Sequence, residues 1–274
     1  MKKNTGLNMS RTFGIEIEFG GVARDTVMSA MRAAGIRAEQ QGWMRHEDRD
    51  YSNYIWQMTT DGSVRVNGFG NELVSPPMSI EGGGLEEITR VCAILEQCGA
   101  EVNKTCGLHV HHDAHEFDIK SFKNLFALYT RYEEAIDELM PKSRRGDDSH
   151  YAQSMIKTRL ETTLERLADC KNVEQIAGMY PSRYQKLNIH SFMHHGTVEF
   201  RQHNGTTNAD KIINWVLITQ AMVNRATGAT VQASGVAGDW FNFKKAIRAY
   251  KWMGASEELV GAVDYMNKRR RKLA

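Results

Sequence analysis

FGIEIEF, residues 13–19, alternates strictly between apolar and acidic side chains from Ile15 to Phe19. Successive side chains of a strand point to opposite faces, so Phe13, Ile15, Ile17 and Phe19 line one face and Glu16 and Glu18 the other. The strand is expected over residues 11–20. Glutamate is depleted in strands, and carboxylates at i and i+2 repel each other. Such a pair calls for a cation beside it, which ties this piece of fold to chemistry.

The same alternation recurs along the chain. In NELVS (71–75) Glu72 shares a face with Val74. In GLHVHH (107–112) His109 and His111 stand opposite Leu108 and Val110. In QKLNIHS (185–191) Lys186, Asn188 and His190 oppose Leu187 and Ile189. In TVEFRQH (197–203) Glu199, Arg201 and His203 oppose Val198 and Phe200. Any one of these reads equally as a half-buried strand with a wet face. Wet faces, however, usually carry Thr, Lys, Ser and Arg, and here Glu and His recur instead. A Glu-rich set with His suits Mg²⁺ or Mn²⁺ better than Zn²⁺. Magnesium normally shares its shell with substrate phosphates, which points to a nucleotide. No GxxxxGK[ST] or GxGxxG occurs, so the common nucleotide folds are not expected.

Around these strands the periodicity predicts helices near 25–36, 84–98, 120–140, 151–168, 210–225, 240–250 and 256–271. Residues 54–60 and 63–66 read as a hairpin about Asp61-Gly62, and Pro76-Pro77 stops the strand at 71–75. Strands and helices mix without βαβ alternation, so the fold class is α+β with an antiparallel sheet. Residues 1–10 read as a flexible arm, and 11–274 as one catalytic domain whose last part, 226–274, is a helical extension.

The 274 residues are 41% hydrophobic and 25% charged, as in a globular protein with a full core. A formal net charge of +2 gives no overall bias toward nucleic acid or membrane. No apolar run is long enough to span a bilayer, and MKKNTGLNMS lacks the apolar core of a signal peptide. Cys92, Cys98, Cys106 and Cys170 form no CxxC pair and no disulfide framework, which fits a cytoplasmic setting. Cys106 reads as a small buried residue, since no group is evident to orient a Cys–His pair. Trp43, Trp56, Trp215, Trp240 and Trp252 read as core or cover, and the basic run 268–272 as a solvated helix end.

The ordered set FGIEIEF (13–19), DGSV (61–64), NELVSPP (71–77), CGLHVHHD (106–113), PKSRR (141–145), RYQKLNIHS (183–191) and TVEFRQHNGTTNADKIINWV (197–216) resembles the amidoligases of the glutamine synthetase and glutamate–cysteine ligase superfamily. The resemblance spans roughly residues 11–225. It implies a curved antiparallel sheet with helices on its outer face, glutamine synthetase-like and independent of the ATP-grasp fold. It further implies ATP and two or three divalent ions on the inner face. Glu16, Glu18, Glu72, His109 and Glu199 match metal ligands. Arg201 matches a phosphate-facing arginine, and Arg144 or Arg145 an arginine reaching phosphate or substrate. Asn188 matches a polar site residue, and Lys186 beside it is grouped with the nucleotide contacts. Only His109 of the three neighbouring histidines has a counterpart. The implied reaction joins a carboxylate to an amine through an acyl phosphate. Partners are then an acid and an amine substrate, with a homo-oligomer among the expected states. Two other readings stand beside it: a metal-dependent hydrolase using the His-x-His strand, and a non-catalytic relative of the fold.

Overall fold

The computed structural model describes residues 6–41, 54–68, 70–228 and 236–274. Trp43 and residues 1–5 of the N-terminal arm lie outside the described residues; Gly6 and Leu7 are buried. The chain divides into two compact units. One holds residues 9–111 and 203–213, the other residues 1–8, 112–202 and 214–274.

The strands are β1 (Phe13–Phe19), β2 (Ala38–Gln40), β3 (Trp56–Thr60), β4 (Asn71–Val74), β5 (Gly107–Asp113), β6 (Leu187–Asn188) and β7 (Thr197–Asn204). The helices are α1 (Arg24–Ala33), α2 (Gly84–Gln97), α3 (Ile119–Asp137), α4 (Leu160–Asp169), α5 (Val173–Met179), α6 (His190–His195), α7 (Ala209–Gly228), α8 (Trp240–Ala246) and α9 (Glu257–Leu273). The fold is α+β, with an open sheet ordered β2-β3-β4-β1-β5-β7-β6. The pairs β1–β4, β3–β4 and β6–β7 are antiparallel, whereas β2 adds to β3 in parallel. β2 is an edge strand of three residues, too short for alternation to reveal it.

In the first unit the β1–β4 register sets Ile17 opposite Leu73 and Glu18 opposite Glu72. Ile15, Ile17 and Leu73 are fully buried. Trp56 of β3 donates its indole N–H to Glu87 of α2 (3.3 Å). Gly83 begins α2 at φ +82°, a conformation that favours glycine. The hairpin joins β3 to β4, not residues 54–60 to 63–66. Asp61 Oδ1 accepts both the amide and the hydroxyl of Ser63 (2.6 Å each), which coils the chain into a loop closed by Asp61 N–H to Gly70 O (3.1 Å). Val64 and Val66 pack with Cys106 instead of forming a strand. Gly205 N–H binds Cys106 O (2.8 Å), anchoring this end of the β5–β7 pair.

In the second unit Ala114 N–H binds Gly196 O (2.9 Å) at the other end of that pair. The Asp118 carboxylate caps α3 through Ser121 N–H (2.7 Å). α3 buries Phe122, Leu125, Phe126, Tyr129 and Ile136 at helical spacing. Phe200 of β7 meets Tyr129 of α3 (centroids 5.9 Å) and His112 edge-on (5.7 Å), and His112 bonds Thr219 of α7 (2.8 Å). α3 and α7 thus cover the Phe200 face of β7, which leaves Glu199 and Arg201 on the other. The expected strand over 186–191 shrinks to Leu187–Asn188, because Asn188 Oδ1 accepts the His190 amide (2.9 Å) and the chain turns into α6. His190 therefore leaves the face of Asn188. The helix expected over 151–168 starts only at Leu160, and α5 is an additional short helix.

The last part of the chain is fastened to α3. Asn124 Nδ2 donates to Ala226 O (3.0 Å), Gly238 N–H to Arg131 O (3.0 Å) and Arg269 Nε to Leu139 O (2.7 Å). The Tyr132 and Phe243 rings meet at 5.4 Å. No helix among the described residues is long and apolar enough to cross a membrane.

Candidate active site

Glu18 and Glu72 face each other directly across β1 and β4, and both are buried. Like charges in that position destabilise a sheet. His109 joins them from β5. Ligand atoms of Glu18, Glu72 and His109 all lie within 4.8 Å of one another. Glu16 holds the imidazole from behind: its Oε2 is 2.8 Å from His109 Nδ1, while His109 Nε2 lies 3.5 Å from Glu18 Oε1. Glu16 Oε1 is also 3.3 Å from His111 Nε2. His111 thus sits with the acids, whereas His112 turns to the opposite face. Glu18 Oε2 accepts the Gly107 amide at 2.6 Å.

The second unit carries its own buried group. Asn188 and Glu199 are register partners on β6 and β7, and Asn188 Nδ2 donates to Glu199 Oε2 (2.7 Å). Glu199 Oε1 is ion-paired with Arg201. The Arg201 guanidinium also lies over the Tyr184 ring, 5.9 Å from its centroid, and its Nε reaches Tyr151 O at 3.4 Å. Arg144 is buried in a 3₁₀ turn over Lys142–Arg144, and its carbonyl accepts Gln202 Nε2 (3.2 Å).

Two residues grouped with nucleotide contacts on sequence grounds stand elsewhere. The Lys186 ammonium is fully buried and bonds Glu133 Oε1 and Asp137 Oδ1 at 2.7 Å each. Gln202 links this trio to Tyr129, bonding Asp137 and the Tyr129 hydroxyl. Burial first, then the Glu133 and Asp137 charges, hold that phenol protonated well above its usual range. Arg145 donates to Met140 O (2.8 Å) and Leu273 O (3.1 Å), closing the ends of two helices.

The sequence model of the family described as "Putative amidoligase enzyme" matches residues 9–223, most of the chain. The chain belongs to the amidoligase family. Among solved structures, this amidoligase is similar to a chain in the crystal structure of the complex between the prokaryotic ubiquitin-like protein Pup and its ligase PafA, with a TM-score of 0.43 and 10% identity. The match covers 98% of this chain and 64% of that one, so the amidoligase spans less than two thirds of its length. No curated protein sequence matches it.

The donor set of this amidoligase suits a hard divalent cation: two carboxylates and an imidazole, buried, with ligand atoms converging. Gly107 supplies a further test of fit. A Cβ there would stand 2.9 Å from His109 Nε2 and 3.4 Å from Glu18 Oε2, so only glycine leaves those ligand atoms undisturbed. Reading residue types alone missed Gly107, the Glu16–His111 contact, and the Tyr184 ring against Arg201. The Gly-x-His spacing in GLH carries a signal for the first. The other two depend on pairing and loop geometry with no local trace. Cys106 is fully buried beneath Gly205, as a small core residue would be.

Proposed function

We propose that this amidoligase joins a carboxylate to an amine with ATP as the activating substrate, through an acyl phosphate, in the presence of Mg²⁺ or Mn²⁺. The observation that carries the reading is the buried Glu18–Glu72 pair, set directly opposite across two strands with His109 beside it. A divalent ion supplies the positive charge that offsets phosphate oxygens. Glu18, Glu72 and His109 would hold it, and Glu16 stays assigned as a ligand by family resemblance. Glu16 fixes the His109 ring through Nδ1 and so turns Nε2 toward Glu18, the outer hydrogen bond that metal-binding histidines commonly keep.

The Arg201 guanidinium is held by Glu199 and Tyr184. It is the group we assign to charge developing on the transferred phosphoryl oxygens, a contact of about 2.7–4 kcal/mol by analogy with oxyanion donors. Glu199 orients Arg201 and, by family resemblance, serves as a further metal ligand; Asn188 fixes its second oxygen. Arg144 remains assigned to phosphate or substrate. Lys186 and Arg145 enter as structural residues, since acids and carbonyls already engage them. None of Cys92, Cys98, Cys106 and Cys170 is in a disulfide, which supports a reducing, cytoplasmic setting.

Hydroxylamine trapping tests the proposal. The protein, ATP and Mg²⁺ are incubated with pools of carboxylic acids, and a hydroxamate with stoichiometric ADP and phosphate is expected. Glu72→Gln and Arg201→Ala should each abolish it with an unchanged circular dichroism spectrum. Turnover with Zn²⁺ and no nucleotide would favour a hydrolase instead, and full activity in both variants would overturn the site.

A further inference from the structure

Residues 240–252 and α9 of the second unit display rings and cations together. Trp252 is 72% exposed and Phe241 52%. The Trp252 ring stacks on Tyr250, with centroids 5.7 Å apart and planes at 25°, so the other indole face is presented outward. Phe241 meets the Tyr250 ring at 6.1 Å. Lys244 Nζ lies 5.9, 5.8 and 5.5 Å from the ring centroids of Trp240, Phe241 and Tyr250. Lys245 Nζ lies 4.3 Å from that of Phe241. Cation–π attraction thus holds ammonium groups over rings of this surface, while no cation is placed over Trp252 among these contacts.

Positive charge is in excess here. Burial, then the Arg270 charge, pushes Lys244 below the ordinary lysine range, and Asp264 and Asp239 do not restore it. Glu257 pairs with Lys251 at 3.3 Å and Glu138 with Arg270 at 2.5 Å, which leaves Lys244 and Lys245 against the rings. None of these residues falls within the family match, which ends at residue 223, and none belongs to the two buried clusters.

Flat faces interleaved with cations complement a polymer in which planar bases alternate with phosphates. We propose that this face binds single-stranded nucleic acid, Trp252 and Phe241 stacking on bases while Lys244 and Lys245 meet phosphates. The net charge of +2 conceals the patch because it averages over the whole chain. An acidic peptide would answer the cations but offers Trp252 no planar partner. A lipid surface would need a continuous aliphatic wedge, whereas this surface is ring and cation.

Fluorescence anisotropy of labelled oligo(dT) and oligo(rU), each of about 20 nucleotides, between about 50 and 200 mM salt tests this directly. Saturable binding is expected, with quenching of tryptophan emission. Trp252→Ala should weaken it at least about fivefold and Trp252→Phe much less, because stacking needs the ring. Lys244→Gln should lower the slope of log K against log salt by about 0.7, the value for one phosphate contact on a single strand. The proposal is overturned by absent saturable binding, by an unchanged affinity in Trp252→Ala, or by tighter binding of duplex DNA, poly-glutamate or phosphatidylserine vesicles. Thermal melting of each variant checks its fold, and the result is independent of ligase activity.

Discussion

Glu72→Gln neutralises one of two facing carboxylates while keeping the side chain's shape. Ligand atoms of Glu18 and Glu72 lie within 4.8 Å of each other. Two full charges at that separation repel by about 3.5 kcal/mol at an effective dielectric constant of about 20. The Gly107 amide and His109 offset part of this. The metal-free variant is therefore expected to be more stable than wild type by about 1–2 kcal/mol. At about 2–4 °C per kcal/mol for large domains, it should melt several degrees higher. Magnesium should reverse the order. A ligand that binds only the folded state adds about 2.7 kcal/mol at about a hundred times its Kd, and the variant should lose most of that gain. Thermal unfolding of EDTA-stripped protein, repeated across a magnesium titration, reads both effects. If the metal-free variant melts below wild type, and magnesium shifts the two equally, the carboxylate pair is no cation site and the reasoning fails.

Gly107→Ala should weaken magnesium binding at least about tenfold by calorimetry while the protein stays folded, because the new methyl crowds His109 Nε2 at 2.9 Å; unchanged affinity would remove Gly107 from the cradle. Lys186→Met strands the buried Glu133 and the half-buried Asp137 without their cation, and should cost about 3–5 kcal/mol in urea unfolding. A loss below about 1 kcal/mol would mean that the trio matters little. The Cys92 thiol is pushed from 9.0 up to about 12, by burial first and the Glu96 charge second. The folded chain then keeps a proton that the unfolded chain releases, so this contribution is complete below about pH 9 and declines toward pH 12, by at most about 1.4 kcal/mol per pH unit. Stability measured against pH should fall less steeply there in Cys92→Ala than in wild type, and identical slopes would contradict the assignment.

Alternation alone sorts the faces correctly wherever a strand is long. Glu16 and Glu18 lie opposite Ile15 and Ile17 on β1, and Glu199 and Arg201 opposite Phe200 on β7. What alternation cannot supply is register. That Glu18 faces Glu72 depends on pairing between segments over fifty residues apart in the chain. Short-range polar competition accounts for other differences. Asp61 and Asn188 each capture a nearby amide with a side-chain oxygen, and in both places an expected strand gives way to a loop or helix. The environment of Lys186 was hidden for a further reason. Its partners sit on α3, where Glu133 and Asp137, four residues apart, read as ordinary acids of an amphipathic helix until the tertiary fold brings both to the buried Lys186.

The family match stops at residue 223, inside α7, while Asn124 reaches three residues further to grip Ala226 O, and Tyr132 packs against Phe243. A recombinant fragment trimmed to the matched region would therefore lose the final turn of a core helix and uncover aromatic surface on α3. Such a fragment should precipitate or be quickly degraded by protease. The tail beyond the matched stretch belongs to the folding unit, and shortening it is a mutation of the interior.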